Sequence, residues 1–312
     1  MVLVLVITLN PSIDRIYNVK ELKTDKSYKV RDYQYTVGGK GINVAKVLRE
    51  FNEEVIIAGF IGSEGHTYIE KELDKMGIKH RFIPIKKETS SVIRILGEGD
   101  NYIEIIEEGT SISTDEFIQF YELYKELITE VDIVCGSGDL PFGLPDEIYR
   151  DLIIIAEEYN KKFFLDTSGE ALKLGIRALP FFVKPNKEEL EYYLGCSLES
   201  DLEIIQAGKF LSEDGIQIVM VSLGERGSIV FHNGYIYRIR VPQVDAISSI
   251  GAGDSMVGGF IASLIRDYDF EFALKVAAAC GTANVMEAET GKVDMNNMKR
   301  IMNDIVITKS KF

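Results

Sequence analysis

Cysteine and histidine are scarce in this chain, three of each in 312 residues, and their scarcity removes several kinds of chemistry. Cys135, Cys196 and Cys280 are odd in number and widely separated, with no C-x-x-C pair. Neither a disulfide framework nor a zinc site is indicated, and a reducing cytoplasm suits them. His66, His80 and His232 never fall at i, i+4 spacing, which leaves no histidine metal cage and no obvious Ser-His-Asp or Cys-His hydrolase. Basic residues are outnumbered too, 35 Lys and Arg against 49 Asp and Glu for a net charge of −14. A field of that sign repels phosphate backbones and anionic membranes, so no nucleic acid and no membrane is expected as a partner. The longest opening apolar run, Met1 to Ile7, has no basic residues before it and breaks at Asn10-Pro11. It is too short and wrongly flanked for a signal peptide or a membrane span, and it predicts a buried first strand. Two common phosphate motifs are missing. No G-x-x-x-x-G-K-[ST] occurs, and the G-x-G at 251–253 has Met256 where a dinucleotide fingerprint needs glycine.

What is present is a rhythm. Short β-branched runs such as Val2–Ile7, Val55–Phe60, Asp132–Gly136, Lys162–Asp166 and Ile218–Ser222 alternate with helical-period segments such as Asn43–Phe51, Pro145–Tyr159 and Leu202–Glu213. That alternation predicts an α/β fold of βαβ units on a mostly parallel sheet. Strands as apolar as IVC at 133–135 and FFLD at 163–166 predict helices on both faces. Two stretches, Asp14–Gln34 and Ser91–Ile106, instead alternate polar with apolar residues and show no helical period. They predict a small β appendage acting as a lid over the carboxyl edge of the sheet, with a hairpin turn centred on Gly97–Asn101. A single domain spanning 1–312 is expected, with the lid drawn from about 12–36 and 89–108.

Four segments are candidates for the chemistry. Ser249–Met256, reading S-I-G-A-G-D-S-M, puts glycines at the start of a helix, where free amides and the dipole favour an anion. A carboxylate beside such an anion pocket repels the ligand unless it removes a proton, which makes Asp254 a candidate general base; ordinary dipole complementation in a first helical turn accounts for it equally well. Val37–Asn43, V-G-G-K-G-I-N, offers close backbone approach together with Lys40 and Asn43, suited to a polyhydroxylated ligand, though a tight strand-to-helix turn has the same composition. Asn186 and Glu189, at i, i+3 after the strand ending at Lys184, either supply oxygen ligands for hydrated Mg²⁺ or cap a helix. Val221-Ser222-Leu223-Gly224 ends a strand in a small-residue turn that can pass under a nucleotide.

Taken in order, T-L-N-P-S-I-D at 8–14, G-G-K-G-I-N-V-A-K-V-L at 38–48, K-P-N-K-E-E-L at 184–190, V-S-L-G at 221–224 and G-A-G-D-S-M-V-G-G-F at 251–260 resemble the PfkB, or ribokinase-like, carbohydrate kinases along the whole chain. They are closest to the subgroup of 1-phosphofructokinase and tagatose-6-phosphate kinase. The resemblance implies a three-layer α/β/α fold with a mostly parallel central sheet and a small β lid, which in some relatives forms a dimer interface. It implies an ATP- and Mg²⁺-dependent kinase, with fructose 1-phosphate as the first expected acceptor and tagatose 6-phosphate as the second. It further implies that Asp254 is the catalytic base, that Gly251, Ala252 and Gly253 form an anion hole, and that Asn186 and Glu189 position Mg²⁺ through water. Lys184, Asn186, Ser222, Gly224, Gly227 and Asn284 match nucleotide-binding positions, and Asp14, Gly38, Gly39, Lys40 and Asn43 match sugar-binding ones. Two departures bear on the acceptor. The subgroup's T-R-x-N reads Thr89-Ser90-Ser91-Val92 here, and its S-G-S-L-P reads Ser137-Gly138-Asp139-Leu140-Pro141. Losing an arginine and gaining a carboxylate disfavours a phosphorylated substrate and raises an unphosphorylated sugar, polyol or nucleoside as the alternative, unless Arg94 or Lys40 compensates.

Overall fold

The computed structural model describes residues 2–23, 25–97, 102–107 and 111–311, with only the backbone at 63–65 and 102. Seven strands run parallel in the main sheet, in the spatial order β11 (Ile218–Ser222), β10 (Phe182–Val183), β9 (Lys162–Asp166), β8 (Ile133–Ser137), β1 (Leu3–Thr8), β4 (Glu54–Gly62) and β5 (Lys79–Ile85). Beyond β11 the sheet continues antiparallel through β12 (Ser228–His232), β13 (Tyr235–Arg240) and β14 (Val306–Lys311).

The continuous apolarity of the parallel strands has a direct structural reading. Val4 and Val6 enter one core while Leu5 and Ile7 enter the other, and Phe164 and Met220 are likewise separated from Leu165 and Val221. Successive side chains of a strand point to opposite faces, so a strand covered on both sides has no position left for a polar residue. The first face is covered by α1 (Lys40–Glu50), α2 (Ser63–Lys75), α8 (Ala252–Ile265), α9 (Phe270–Asn284) and α10 (Met295–Asp304). The second is covered by α3 (Thr114–Leu127), α4 (Ile148–Glu158), α5 (Gly169–Ile176), α6 (Lys187–Leu194) and α7 (Asp201–Glu213). This is the three-layer ribokinase-like arrangement that the motifs implied. Among the described residues no helix is long and apolar enough to cross a membrane.

A second sheet of four strands stands apart, in the order β3 (Tyr33–Gly38), β2 (Ser12–Asn18), β6 (Ser90–Leu96), β7 (Tyr102–Ile106). Its two sides differ in character. Buried Ser12, Asp14, Ile16, Val92 and Arg94 alternate with Arg15, Tyr17, Ile93 and Ile95 on the opposite face. Cross-strand register lines up Tyr35, Arg15, Ile93 and Ile105 in one row and Tyr33, Tyr17, Ile95 and Ile103 in the next. Apart from Gly97, the turn expected at Gly97–Asn101 lies outside the described residues.

Candidate active site

The carboxyl ends of β9, β10 and β11 open onto a cleft of about 790 Å³ that also reaches the amino end of α8. Ligands of open α/β sheets bind at this edge, because strand ends and helix N-termini leave main-chain groups without partners there. Gly251, at φ 83°, turns the chain into α8, and no side chain caps that helix. The amide of Ala252 points back to the Ser249 carbonyl at 3.4 Å. Asp254 sits in the first turn, 7% exposed, and its Oδ2 accepts a hydrogen bond from Asn43 Nδ2 at 2.8 Å. Burial, reinforced by the neighbouring Asp166 carboxylate, pushes the Asp254 carboxyl up to about 6, against the pull of Asn43, Lys40 and Lys184. A carboxylate so placed is a stronger base than one in water and is still ionised at neutral pH.

Cations surround it. Lys184 Nζ lies 3.1 Å from Asp166 Oδ1, and a methyl group added at Gly253 would come within 2.9 Å of the same nitrogen, so this ammonium stands over the start of α8. Burial alone would lower its pKa, but Asp166, Glu189 and Asp254 outweigh that and hold it above the ordinary lysine value. Lys40, opening α1, pairs with Asp139 Oδ1 at 3.2 Å, and Asp139 also accepts from Ser168 Oγ at 2.6 Å. Against the cost of burial, Lys40 and Ser168 hold Asp139 below its usual value.

Asn186 and Glu189 form a reciprocal capping box on α6. Glu189 N donates to Asn186 Oδ1 at 2.7 Å and Asn186 N to Glu189 Oε2 at 2.8 Å. Both residues also line the cleft, together with Ser222, Gly224 and Gly227, so the capping role and a place in the pocket coexist. Asn284 differs from its expected place near a nucleotide base. It is fully buried, does not line the cleft, and its amide donates to the carbonyls of Lys292 at 3.0 Å and Glu289 at 3.4 Å. The neighbouring Gly281, Thr282 and Val285 form the wall instead.

On the lid side, Asp14 lies against Gly38, whose missing side chain makes room for it. An added Cβ there would lie 2.0 Å from Asp14 Oδ1. Gly39, with φ 112°, starts α1 without a side-chain cap. Asp14 is 1% exposed and already engaged, by Ser12 Oγ at 2.7 Å and by Arg94 Nη1 at 2.8 Å, while Arg94 Nε donates to Glu104 at 2.7 Å. Ser90, in the position expected to carry arginine, donates to Asn10 Oδ1 at 3.1 Å.

Sequence reasoning missed Asp166. Its Oδ2 is buried without a hydrogen-bond partner, beside Lys184 in the cleft. A charged residue closing the apolar run K-F-F-L-D, at the carboxyl end of a central parallel strand, was the available signal.

The sequence profile of the pfkB family carbohydrate kinases matches residues 2–296. This chain is a pfkB family carbohydrate kinase. As such it is a phosphotransferase, and membership of a kinase family implies use of ATP. Solved structures agree over nearly the whole pfkB chain. A candidate phosphofructokinase from Staphylococcus aureus is 28% identical with a TM-score of 0.84, covering 100% of this chain and 99% of its own. A candidate 1-phosphofructokinase from Thermotoga maritima is 25% identical with a TM-score of 0.89, covering 99% and 100%. Phosphofructokinase-2 of Escherichia coli, solved with fructose-6-phosphate and also in a tetrameric inhibited form, is 24% identical in both with a TM-score of 0.88, covering 97% and 99%, and supports the fold.

Proposed function

We propose that this pfkB protein transfers the γ-phosphoryl group of ATP to a primary hydroxyl of a sugar, with Asp254 as the general base. The observation that carries this reading is a buried carboxylate, its pKa raised to about 6, in the first turn of an uncapped helix at the cleft. The carboxylate takes the hydroxyl proton. The freed oxygen attacks the γ-phosphorus, an O–P bond forms, and the bond to the bridging oxygen breaks to release ADP. Lys184 and the anion hole expected of Gly251, Ala252 and Gly253, of which Ala252 and Gly253 line the cleft, would face the charge that spreads over the transferring group, while Ser222, Gly224 and Gly227 would bed the nucleotide.

Mg²⁺ fits the donor set. An ion of this kind is held chiefly by water and triphosphate oxygens and needs few protein donors. Glu189, Asn186 and the unpartnered Asp166 Oδ2 are the oxygens that would hold its water shell. When bound, it supplies positive charge to the phosphate oxygens.

The motifs support fructose 1-phosphate as the first acceptor and tagatose 6-phosphate as the second, and the neighbour described as a candidate 1-phosphofructokinase supports the first. The ion pairs favour a different reading, an unphosphorylated sugar, polyol or nucleoside. Arg94 is engaged by Asp14 and Glu104, Lys40 by Asp139, and Ser90 offers a hydroxyl in place of a guanidinium. A phosphate dianion would have to compete with the carboxylates already paired with each cation. A substrate panel with Asp254→Asn as the blank separates the readings. Turnover of ketohexose phosphates alone excludes the neutral acceptor, and turnover of free sugars, polyols or nucleosides alone excludes the phosphorylated one. The same low turnover by wild type and blank across both groups would overturn the role given to Asp254. The apolar outer face of the small sheet supports a homodimer through the lid.

A further inference from the structure

Lys46 is a buried cation to which the mechanism gives no role. Lys46, on α1 one turn beyond Asn43, is 7% exposed, and its ammonium has three acceptors for its three protons: the Val37 carbonyl at 2.9 Å, Glu289 Oε1 at 2.9 Å and the Thr290 carbonyl at 3.2 Å. Those acceptors belong to two distant segments. Val37 lies at the root of the lid strand β3, next to Gly38 and so next to Asp14. Glu289 and Thr290 belong to the turn that follows α9, and that turn is wedged between the two halves of the catalytic arrangement. An added Cβ on Gly291 would lie 2.6 Å from Asn43 Cα, and one on Gly251 would lie 3.1 Å from both Gly291 N and Thr290 Cβ. Close packing of this kind transmits a shift instead of absorbing it.

We propose that Lys46 is a positioning residue. By tying the lid root to the turn at 289–291, it holds Asn43 against the Asp254 carboxylate. The inference rests on the reading of Asp254 as the base, but the tether itself can be observed without turnover. A methionine keeps the length of the side chain and removes all three donors, leaving two carbonyls and a carboxylate without their partner.

For Lys46→Met, kcat is expected to fall about 10- to 100-fold, the range that follows a misplaced catalytic group, while the Kd of a non-hydrolysable ATP analogue stays within about twofold of wild type. Lys46→Arg, which retains the charge and donors, should recover most of the rate. In an Asn43→Ala background, Lys46→Met should cost little more, because the group through which it acts is already gone. If the two losses multiply in the double variant, or if nucleotide affinity falls as far as kcat, the proposal is overturned. Amide hydrogen exchange on the same proteins isolates the tether from the chemistry. Residues 34–38 and 286–291 should both exchange faster in Lys46→Met, and unchanged exchange at both overturns it. Where Lys46→Met does not fold, Glu289→Gln is the second variant, with the same readouts and milder expected changes. A wild-type protein that phosphorylates nothing, with exchange still coupled, would fail the Asp254 reading and leave the tether standing.

Discussion

Asp254 meets two opposed demands, since the burial that makes it a better base also makes its ionised form costly to the fold. Its carboxyl moves from an ordinary value of 3.8 to about 6. The base works only when deprotonated, so kcat/KM should fall about tenfold per unit as the pH drops below roughly 6. Asn43→Ala removes a hydrogen bond that lowers the value, and its pH profile should shift its acid limb upward. A limb that stays put, or moves down, contradicts the geometry. Stability follows the opposite course. A carboxyl whose folded value exceeds its unfolded one binds a proton on folding, so stability declines as pH rises from about 4 to 6 and the full penalty remains above that. Asp254→Asn should therefore be more stable than wild type at pH 8, by on the order of 2 kcal/mol, in urea denaturation, while losing about 10²- to 10⁴-fold in kcat. The position of this acid was legible from G-A-G-D alone. Its environment was not, because Asn43 and Asp166 reach it from segments far away in sequence.

At the level of elements, the glycine pair shows how the same residue type answers different needs. Gly38 has no unusual φ but carries a carboxylate in the space where a Cβ would stand. Gly38→Ala should force Asp14 away from Arg94 and cost about 1–3 kcal/mol as overpacking, read as a lower Tm together with a raised acceptor KM. Gly224→Ala meets no protein atom within 4 Å, so its cost to the stability of the unliganded fold comes from its φ of 59° and is about 1 kcal/mol. Six of the seven parallel strands and the helices at 148–158 and 201–213 were readable because periodicity is a local property, whereas the edge strand β5, whose K-H-R-F-I-P-I mixes charge and proline into the run, was not. The helix at 114–127 escaped, although its Ser113–Glu116 capping box is a sequence-level start signal. For Asn186 and Glu189 the pattern permitted both a cap and a ligand site, and the fold uses the same two side chains as a cap on the rim of the cleft.

For the whole molecule, the outer face of the small sheet is the largest commitment left open. Tyr33 and Tyr35 on one edge strand and Ile103 and Ile105 on the other are each about half exposed, at 52%, 49%, 47% and 50%. Two such sheets packed face to face would bury both cross-strand rows at once. Light scattering should report a dimer of twice 35.0 kDa for the wild type, and Ile105→Asp should release monomers. A monomeric wild type at micromolar concentration rules this assembly out. The alternating pattern that announced the lid could not announce its partner, because the same alternation describes a solvated hairpin.

The order of strands in the main sheet also governs how the chain is made. β1 sits between β4 and β8, and Leu3 meets Asp132 at a sequence separation of 129. A ribosome therefore releases β1, β4 and β5 with one edge of β1 lacking its partner until β8 is made, at which point more than half of the polypeptide is still unsynthesised. That interval is when the nascent protein most needs a chaperone, and slowing translation between these segments would tax its yield more than slowing it anywhere after β8.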